Sequence, residues 1–464
     1  MAALITLPFH NPAIPDDVPD DVLVLVLEDA VTLDSDGAAS LADAATALAA
    51  DAWFGDIEVA GHHQRRSGWS PTRLLADPTA ALPAAVRAGW LREHGVQPND
   101  PALALHLAAH GALVGHLPQI LTHHNSPLRQ PRLEQVVAHV DTIGMPAVVT
   151  STEGGFAITP RGGFAPEVTI IVPTAGATYP DGQLAIDRLL ASLDPLPDSV
   201  RILLVVGDEF HGDGEALTLS PSVSVTRRPP GPFNFSAAIN HGLLVADSEI
   251  VLLLNDDMYA RDTSFIAAMA LHLADPTVGV VGALLTYPDG AVQHAGVIID
   301  DARPLHPFVG WLPADAAQHG ALTARDVAAV TGGCLMTRRA DLLAVGGLST
   351  SFPLSFNDID LCVRLRRTGH RVVIEPAAQV VHHETLTRDA VITAEEWDRW
   401  IDRWGEIVDP WYHPDFYRPD DPHDLARNAD HLPPKAAIIA PGAPRLPLLQ
   451  SRVHRGRPAM ASSE

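Results

Sequence analysis

Two adjacent carboxylates close an apolar run in Ser248-Glu249-Ile250-Val251-Leu252-Leu253-Leu254-Asn255-Asp256-Asp257-Met258. Asp256 and Asp257 repel each other at the end of a buried strand unless a cation sits between them. Mg²⁺ and Mn²⁺ prefer oxygen ligands and bridge phosphate oxygens, so the pair makes a half-site whose open positions suit a diphosphate. An ordinary surface turn is the alternative. A second candidate is Phe356-Asn357-Asp358-Ile359-Asp360. Asn357 is placed to cap a helix with Ile359, Cys362 and Val363 on one face and Gly369 closing it. Asp358 then sits in the first turn, where the helix dipole stabilises a carboxylate that can accept a proton from an attacking hydroxyl. Both residues serving only as caps is the other reading. The third candidate is the pair His382-His383 at the end of another apolar run. Imidazole suits Mn²⁺, so His382 or His383 would complete the metal site. Similar pairs at His62-His63 and His123-His124 show that the chain also carries such doublets elsewhere.

These side chains need a scaffold. From 168 to 390 short β-rich runs alternate with helical patterns: 168–174, a helix over 183–193, 200–209, a helix over 235–246 with Ser236 as N-cap, 248–258, and a helix over 264–274. That alternation implies an α/β domain with a mostly parallel sheet, which binds ligands beyond the carboxyl ends of its strands. Asp208, Asp256 and Asp257 fall at those ends.

Composition bounds the rest. A chain of 464 residues holds two or three domains, and 47% hydrophobic residues supply their cores. A formal charge of −25 argues against a nucleic-acid partner. The two cysteines, Cys334 and Cys362, give no disulfide framework or thiolate zinc site and fit a reducing compartment. The N-terminus lacks a basic region and is broken by prolines, unlike a signal peptide, and no apolar run reaches the ~18 residues of a membrane span. A cytoplasmic location is expected. The last 33 residues carry five Lys or Arg and one acid, Glu464. They read as a disordered tail that is either merely solvated or favours the anionic inner face of the plasma membrane.

Taken in order, VTIIVPT, VVGDE, FNFSAAIN, IVLLLNDDM, VGVVGALLTYPDGAVQHAGV, VTGGCLMTRR, VGGLSTSF, FNDIDLCVRLRRTGHRVV and VVHHETLTR resemble the family-2 glycosyltransferases with the GT-A fold, in particular the bacterial rhamnosyltransferase and O-antigen type. The resemblance spans about residues 168 to 415 and continues into VDPWYHP. It implies inverting, metal-dependent transfer from a UDP- or dTDP-sugar to a hydroxyl of a glycan or lipid-linked glycan of the cell envelope. It also implies roles for individual positions. Pro173, Thr174, Asp208 and Asn240 would lie near the nucleoside, Asp256 and Asp257 at the diphosphate and its Mn²⁺ or Mg²⁺, Asp358 as catalytic base, and His382 or His383 as a further ligand. Gly332 and Gly333 would let the backbone approach donor sugar or acceptor closely. Two positions depart from the pattern: small residues follow Pro173-Thr174 where many relatives carry a basic or polar one, and Asn357 stands where many carry Glu. Two other functions compete. A sugar-phosphate nucleotidyltransferase would need a Gly-rich loop with a basic residue after the first strand, and PTAGATYPDG has none. A sugar-binding scaffold without turnover would not need Asp256, Asp257 and Asp358 together.

The first 125 residues repeat part of this pattern. DDVLVLVLEDA (20–30) lies over SEIVLLLNDDM (248–258) at a constant offset of 228, placing Glu28 and Asp29 on Asp256 and Asp257. NDPALALHLAAHGALVGHLPQILTHH (99–124) lies over 357–382 at an offset of 258, with Asn99, Asp100, Gly111, Pro118 and His124 identical. WSPTRLL (69–75) also resembles a segment lying between these motifs in the family. No run in this region matches VTIIVPT or VVGDE, so it reads as a truncated GT-A-like half-domain, catalytically silent and docked on the rest through the connector. An independent domain on a loose linker, in or out of contact with acceptor glycan, is the alternative. The expected organisation is this half-domain at 1–125, a connector at 126–167 with a helix over 133–143, the catalytic domain at 168–390, a Trp-rich helical extension at 391–430 and the tail at 431–464.

Overall fold

The computed structural model describes residues 3–28, 31–210, 221–317, 320–383, 392–411, 413 and 438–439. Val168–Thr174 is buried at every position because both faces of its sheet are covered. Ile171 joins the layer of Ile239, Leu243 and Leu361, whereas Ile170 and Val172 join that of Ile186, Leu189 and Phe265. Two-sided burial with a period of two is what makes such a strand an unbroken apolar run.

The larger sheet runs Val223–Arg227, Val200–Val206, Val168–Thr174, Ile250–Leu254, Cys334–Arg338, Val278–Thr286, Arg371–His382, Met258–Ala260. Its first four strands are parallel. Cys334–Arg338 is antiparallel to both neighbours, and Arg371–His382 is parallel to Val278–Thr286. The sheet is α/β and parallel from Val223–Arg227 to Ile250–Leu254, but mixed beyond it. The three expected helices form as Ala185–Ser192, Phe235–Val245 and Ser264–His272. Two cap assignments are corrected. Asn234, not Ser236, caps the second helix by accepting from Ala237 N–H, while Ser236 donates to the Phe352 carbonyl. Helix Asn357–Arg367 starts from Phe356 in the left-handed region (φ 63°), and the Asn357 amide donates back to the Leu354 carbonyl.

The smaller sheet repeats this plan. Its order Leu4–Pro8, Leu23–Leu27, Ala84–Arg87, Ala52–Val59, Val114–His124 has the same sequence of parallel and antiparallel pairings as Val168–Thr174, Ile250–Leu254, Cys334–Arg338, Val278–Thr286, Arg371–His382. Even the register shift recurs, beside Pro118 in one copy and Pro376 in the other. One expectation is overturned here: Leu4–Pro8 occupies the place of VTIIVPT. It went unseen because a five-residue edge strand, half exposed along its length, shows no apolar run. Among the described residues nothing flanks it in the place of Val200–Val206.

The two halves meet directly. Asp326 accepts from Ser70 Oγ at 2.6 Å and from Thr72 N–H at 3.1 Å, and it pairs with Arg371. The Trp411 indole donates to the Trp69 carbonyl, and His413 reaches the fully buried Asp56 at 3.1 Å. Connector elements help as well. Helix Leu133–Thr142 and hairpin Ala147–Thr152/Gly155–Pro160 contribute Val136, Val149 and Phe156 to a cluster that also holds Leu75 and Leu271. Helix Ala394–Trp404, opened by a Thr393–Glu396 capping box, buries Trp397, Trp400 and Trp404 in the layer of Ile171, Ile239 and Leu361. The tail and the segment after His413 lie outside the described residues, apart from the two-residue strand Ile438–Ile439 on the outer edge of the smaller sheet. No helix among the described residues is long and apolar enough to cross a membrane.

Candidate active site

Thr174 pairs with Val206 at one side, and the register that sets Leu253 opposite Ile171 at the other carries Asp256, two residues beyond the strand end Leu254, level with Thr174. Thr174 Oγ donates to Asp256 Oδ2 at 2.6 Å and accepts from Gly176 N–H, so the turn after Pro173 is tied to the acid pair. Asp256 and Asp257 are 8% and 6% exposed. Burial, reinforced by the neighbouring Asp257 charge against the Thr174 bond, pushes the Asp256 carboxyl up to about 6. Near neutral pH this site therefore holds negative charge at a cost that a cation would offset.

His382 ends Arg371–His382 directly opposite Met258. Its Nε2 lies 3.1 Å from Asp257 Oδ1, and its Nδ1 lies 2.7 Å from the Gln293 amide oxygen. Asp257 Oδ1 is buried and has no hydrogen-bond partner. A buried carboxylate oxygen with no donor, facing an imidazole nitrogen, is suited to a shared metal ion. His383 is oriented differently: its ring packs on Tyr179 at 4.7 Å and Tyr259 at 5.6 Å, and its backbone N–H donates to the Asp257 carbonyl. Among the described residues no group of three or more His, Cys, Asp or Glu forms a complete metal cage. Asp257 and His382 are two groups of the kind that a divalent ion takes as ligands, short of a full set.

Asp358 is half buried, and Gly332 carries it into the same site. Gly332 N–H donates to Asp358 Oδ2 at 2.7 Å, and the next residue's carbonyl, Gly333, accepts from Asn255 N–H at 3.0 Å. A Cβ on Gly332 would sit 3.2 Å from Asp358 Cβ, and one on Gly333 only 2.6 Å from Met258 Cε. The glycines thus permit close approach to Asp358 and Met258. Each Asp358 oxygen accepts one backbone N–H, which leaves lone pairs for a further donor. His294 holds this turn from the other side, its Nε2 accepting from Thr331 N–H and its Nδ1 meeting His306 Nδ1 at 3.0 Å.

Asp208 is exposed at the end of Val200–Val206, open to a ligand above the sheet. Asn240 is not available there as expected from sequence. Its amide oxygen accepts from Leu348 N–H and its amide nitrogen donates to the Leu348 carbonyl, each at 2.8 Å, so the side chain clamps a loop. Asp360, the next acid after Asp358, is fully buried by Arg364, Arg403 and Trp404 and is structural. The sequence reading missed Tyr179, Arg188 and Gln293. Tyr179 belongs to the loop read as offering only small residues. It is 4% exposed, its hydroxyl has no partner, and the Arg188 guanidinium lies 4.0 Å over its ring. Burial and the nearby acids hold its phenol up to about 12. No spacing in the sequence marks Arg188, which reaches the loop from the next helix.

In the smaller half, the counterparts of these groups are turned to local use. Asp100 accepts from Ala102 N–H and Gln135 and lies 3.3 Å from His106. His124 bonds Thr122 and is held down to about 4 by burial. Asp29 lies outside the described residues.

Residues 166–402 match the sequence family described as glycosyltransferase like family 2. Over 197 residues the chain is 34% identical to the O-antigen biosynthesis protein RfbC of Myxococcus xanthus, covering 39% of this chain and 15% of that protein. Over 244 residues it is 26% identical to an N-acetylglucosaminyl-diphospho-decaprenol L-rhamnosyltransferase of Mycobacterium tuberculosis, covering 47% and 77% respectively. A further relative, an uncharacterised protein of Sinorhizobium fredii, is 37% identical over 199 residues, of which this chain spans 22% of the length. The chain thus spans about a fifth or less of two of these relatives. Among solved structures it is similar to a mannosyltransferase of Pyrobaculum calidifontis in complex with GDP-Man and Mn²⁺, with TM-score 0.34, 19% identity and coverage of 52% and 61%.

Proposed function

The chain belongs to glycosyltransferase family 2, and from that premise we propose that it is an inverting, cation-dependent transferase acting on a nucleoside-diphosphate sugar and a glycan hydroxyl. The carrying observation is the buried, unpartnered Asp257 Oδ1 facing His382 Nε2 beside Asp256. Asp257 and His382 would hold the ion, and the ion would neutralise the diphosphate as it leaves. The chain's own residues do the rest. Asp358 accepts the proton of the acceptor hydroxyl as its oxygen bonds to the anomeric carbon from the face opposite the breaking C–O bond. The electron pair of that bond leaves with the diphosphate. Thr174 orients Asp256, the Gly332–Gly333 turn orients Asp358, and Asp208 is free to meet the nucleoside. The names of two relatives, an O-antigen biosynthesis protein and a rhamnosyltransferase acting on a diphospho-decaprenol-linked sugar, support a lipid-linked or surface glycan acceptor and rhamnose as the transferred sugar. We extend the proposal to UDP or dTDP as the carrier.

A panel of nucleotide sugars tests this, read by donor hydrolysis and by thermal stabilisation with Mn²⁺ or Mg²⁺. The expected result is stabilisation by one nucleoside diphosphate that requires the cation. Binding unchanged by EDTA and by Asp257→Ala would overturn the reading.

A further inference from the structure

Gln293 is 8% exposed on the short strand Val292–His294, which borders Val278–Thr286 at the opposite side from Arg371–His382. Its side chain therefore crosses a strand to meet His382, whose other flank is closed by Met258. Both nitrogens of the His382 ring face acceptors. The Gln293 amide oxygen is 2.7 Å from Nδ1, and Asp257 Oδ1 is 3.1 Å from Nε2. A neutral imidazole carries one proton, and neither an amide oxygen nor a carboxylate can donate. If Nδ1–H donates to Gln293, Nε2 presents a lone pair to a carboxylate oxygen that itself has no donor. Two lone pairs face each other stably only where positive charge joins them, either a second ring proton that makes the pair an imidazolium–carboxylate ion pair or a metal ion.

We propose that Gln293 is a positioning residue that fixes His382 in the Nδ1–H tautomer, so that His382 Nε2 and Asp257 Oδ1 point at one divalent cation. The inference rests on the cation-dependent reading above and goes beyond it by assigning the residue that sets the ligand's proton. A ligating histidine is generally oriented by an acceptor on its other nitrogen, and loss of that acceptor costs about 10- to 100-fold in metal affinity. The neighbouring residue serves the other half of the site. His294 points to the opposite face, as successive strand residues do, and holds Thr331 at the turn that carries Gly332 to Asp358.

The test uses the full chain, ¹⁵N-labelled at histidine, with His382 assigned by signal loss in His382→Gln. Long-range ¹H–¹⁵N spectra of the protein saturated with Mg²⁺, a diamagnetic stand-in for Mn²⁺, should show His382 as the Nδ1–H tautomer, and Gln293→Ala should move it to a mixture or to Nε2–H. Mn²⁺ alone, titrated by electron paramagnetic resonance, should bind about 10- to 100-fold more weakly to Gln293→Ala. Gln293→Glu keeps an acceptor and should stay within about 3-fold of wild type, which separates loss of orientation from a damaged fold. A wild-type Nε2–H tautomer, donating to Asp257 with the Gln293 amide turned round, overturns the proposal alone. So does unchanged Mn²⁺ affinity in Gln293→Ala when Asp257→Ala abolishes it. Mn²⁺ affinity that ignores Asp257→Ala overturns both this proposal and the reading it rests on.

Discussion

Asp326→Ala should cost about 4–6 kcal/mol at the seam between the two halves, a figure set by the bonds this carboxylate makes. The Asp326 side chain is fully buried, accepts from Ser70 Oγ and Thr72 N–H across the seam, and pairs with Arg371 at 2.5 Å. Deleting one member of a buried ion pair costs ~3–5 kcal/mol because the other charge stays behind. Arg371 keeps Asp275 at 2.6 Å, which places this share near ~3 kcal/mol. The Ser70 hydroxyl and Thr72 N–H are left without their acceptor, adding ~1–3 kcal/mol. Domains are stable by only ~5–15 kcal/mol, so the loss should be plain in a urea titration followed by tryptophan fluorescence. Trp69 and Trp411, both 5% exposed, report on the seam. The expected curve has its first transition at lower urea, separated from unfolding of the larger sheet. Asp326→Asn, which keeps shape and one acceptor, should show about half the effect. A first transition for Asp326→Ala within ~1 kcal/mol of wild type would refute the idea that this carboxylate holds the halves together.

Asp257→Ala should abolish transfer and Mn²⁺-dependent nucleotide affinity with little change in melting temperature, checked by calorimetric titration and thermal melts. Asp358→Asn should lower turnover by roughly 10²–10⁴-fold while donor affinity stays near wild type, measured by kcat against KM. Glu28→Ala with Asp29→Ala should leave transfer unchanged, because Asp100 and His124 in that half are already engaged locally; a loss of turnover would show the smaller half to be catalytic. His139 is 8% exposed and is held down to about 4, first by burial and then by His106. Its folded value lies below the ~6.5 of the unfolded chain, so stability is present above pH 6.5 and is lost as pH falls toward 4. Relative to His139→Gln, wild type should lose roughly 3 kcal/mol over that window, read from urea midpoints at stepped pH.

The half that matches the family was legible because its strands are buried on both faces. Two-sided burial turns Val168–Thr174 and Ile250–Leu254 into apolar runs, and the acids that end them are visible by contrast. The offsets linking the two halves were equally legible, since duplicated strands keep their residue spacing through the bulge at Pro118 and Pro376. Edge strands and long-range polar contacts left no such trace. Leu4–Pro8 is short and half exposed, and Asn240 looked free in sequence although both ends of its amide are spent on Leu348.

Sequence alone determined the family and the α/β class, and it singled out the acids at the strand ends, because these depend on residue order and local period. It did not distinguish His382 from His383. Which of the two rings lies against Asp257 is set by strand pairing, which puts Met258 opposite His382 and turns alternate side chains to opposite faces. One ring is thereby aimed at Asp257 and the next at Tyr179. Gln293 and Asp326 acquired their partners the same way, across 89 positions of chain to His382 and 256 to Ser70. Arg188 reached Tyr179 by the packing of its helix against the loop before it. Such contacts depend on how sheets and helices pack, and packing geometry has no signature in a local stretch of residues.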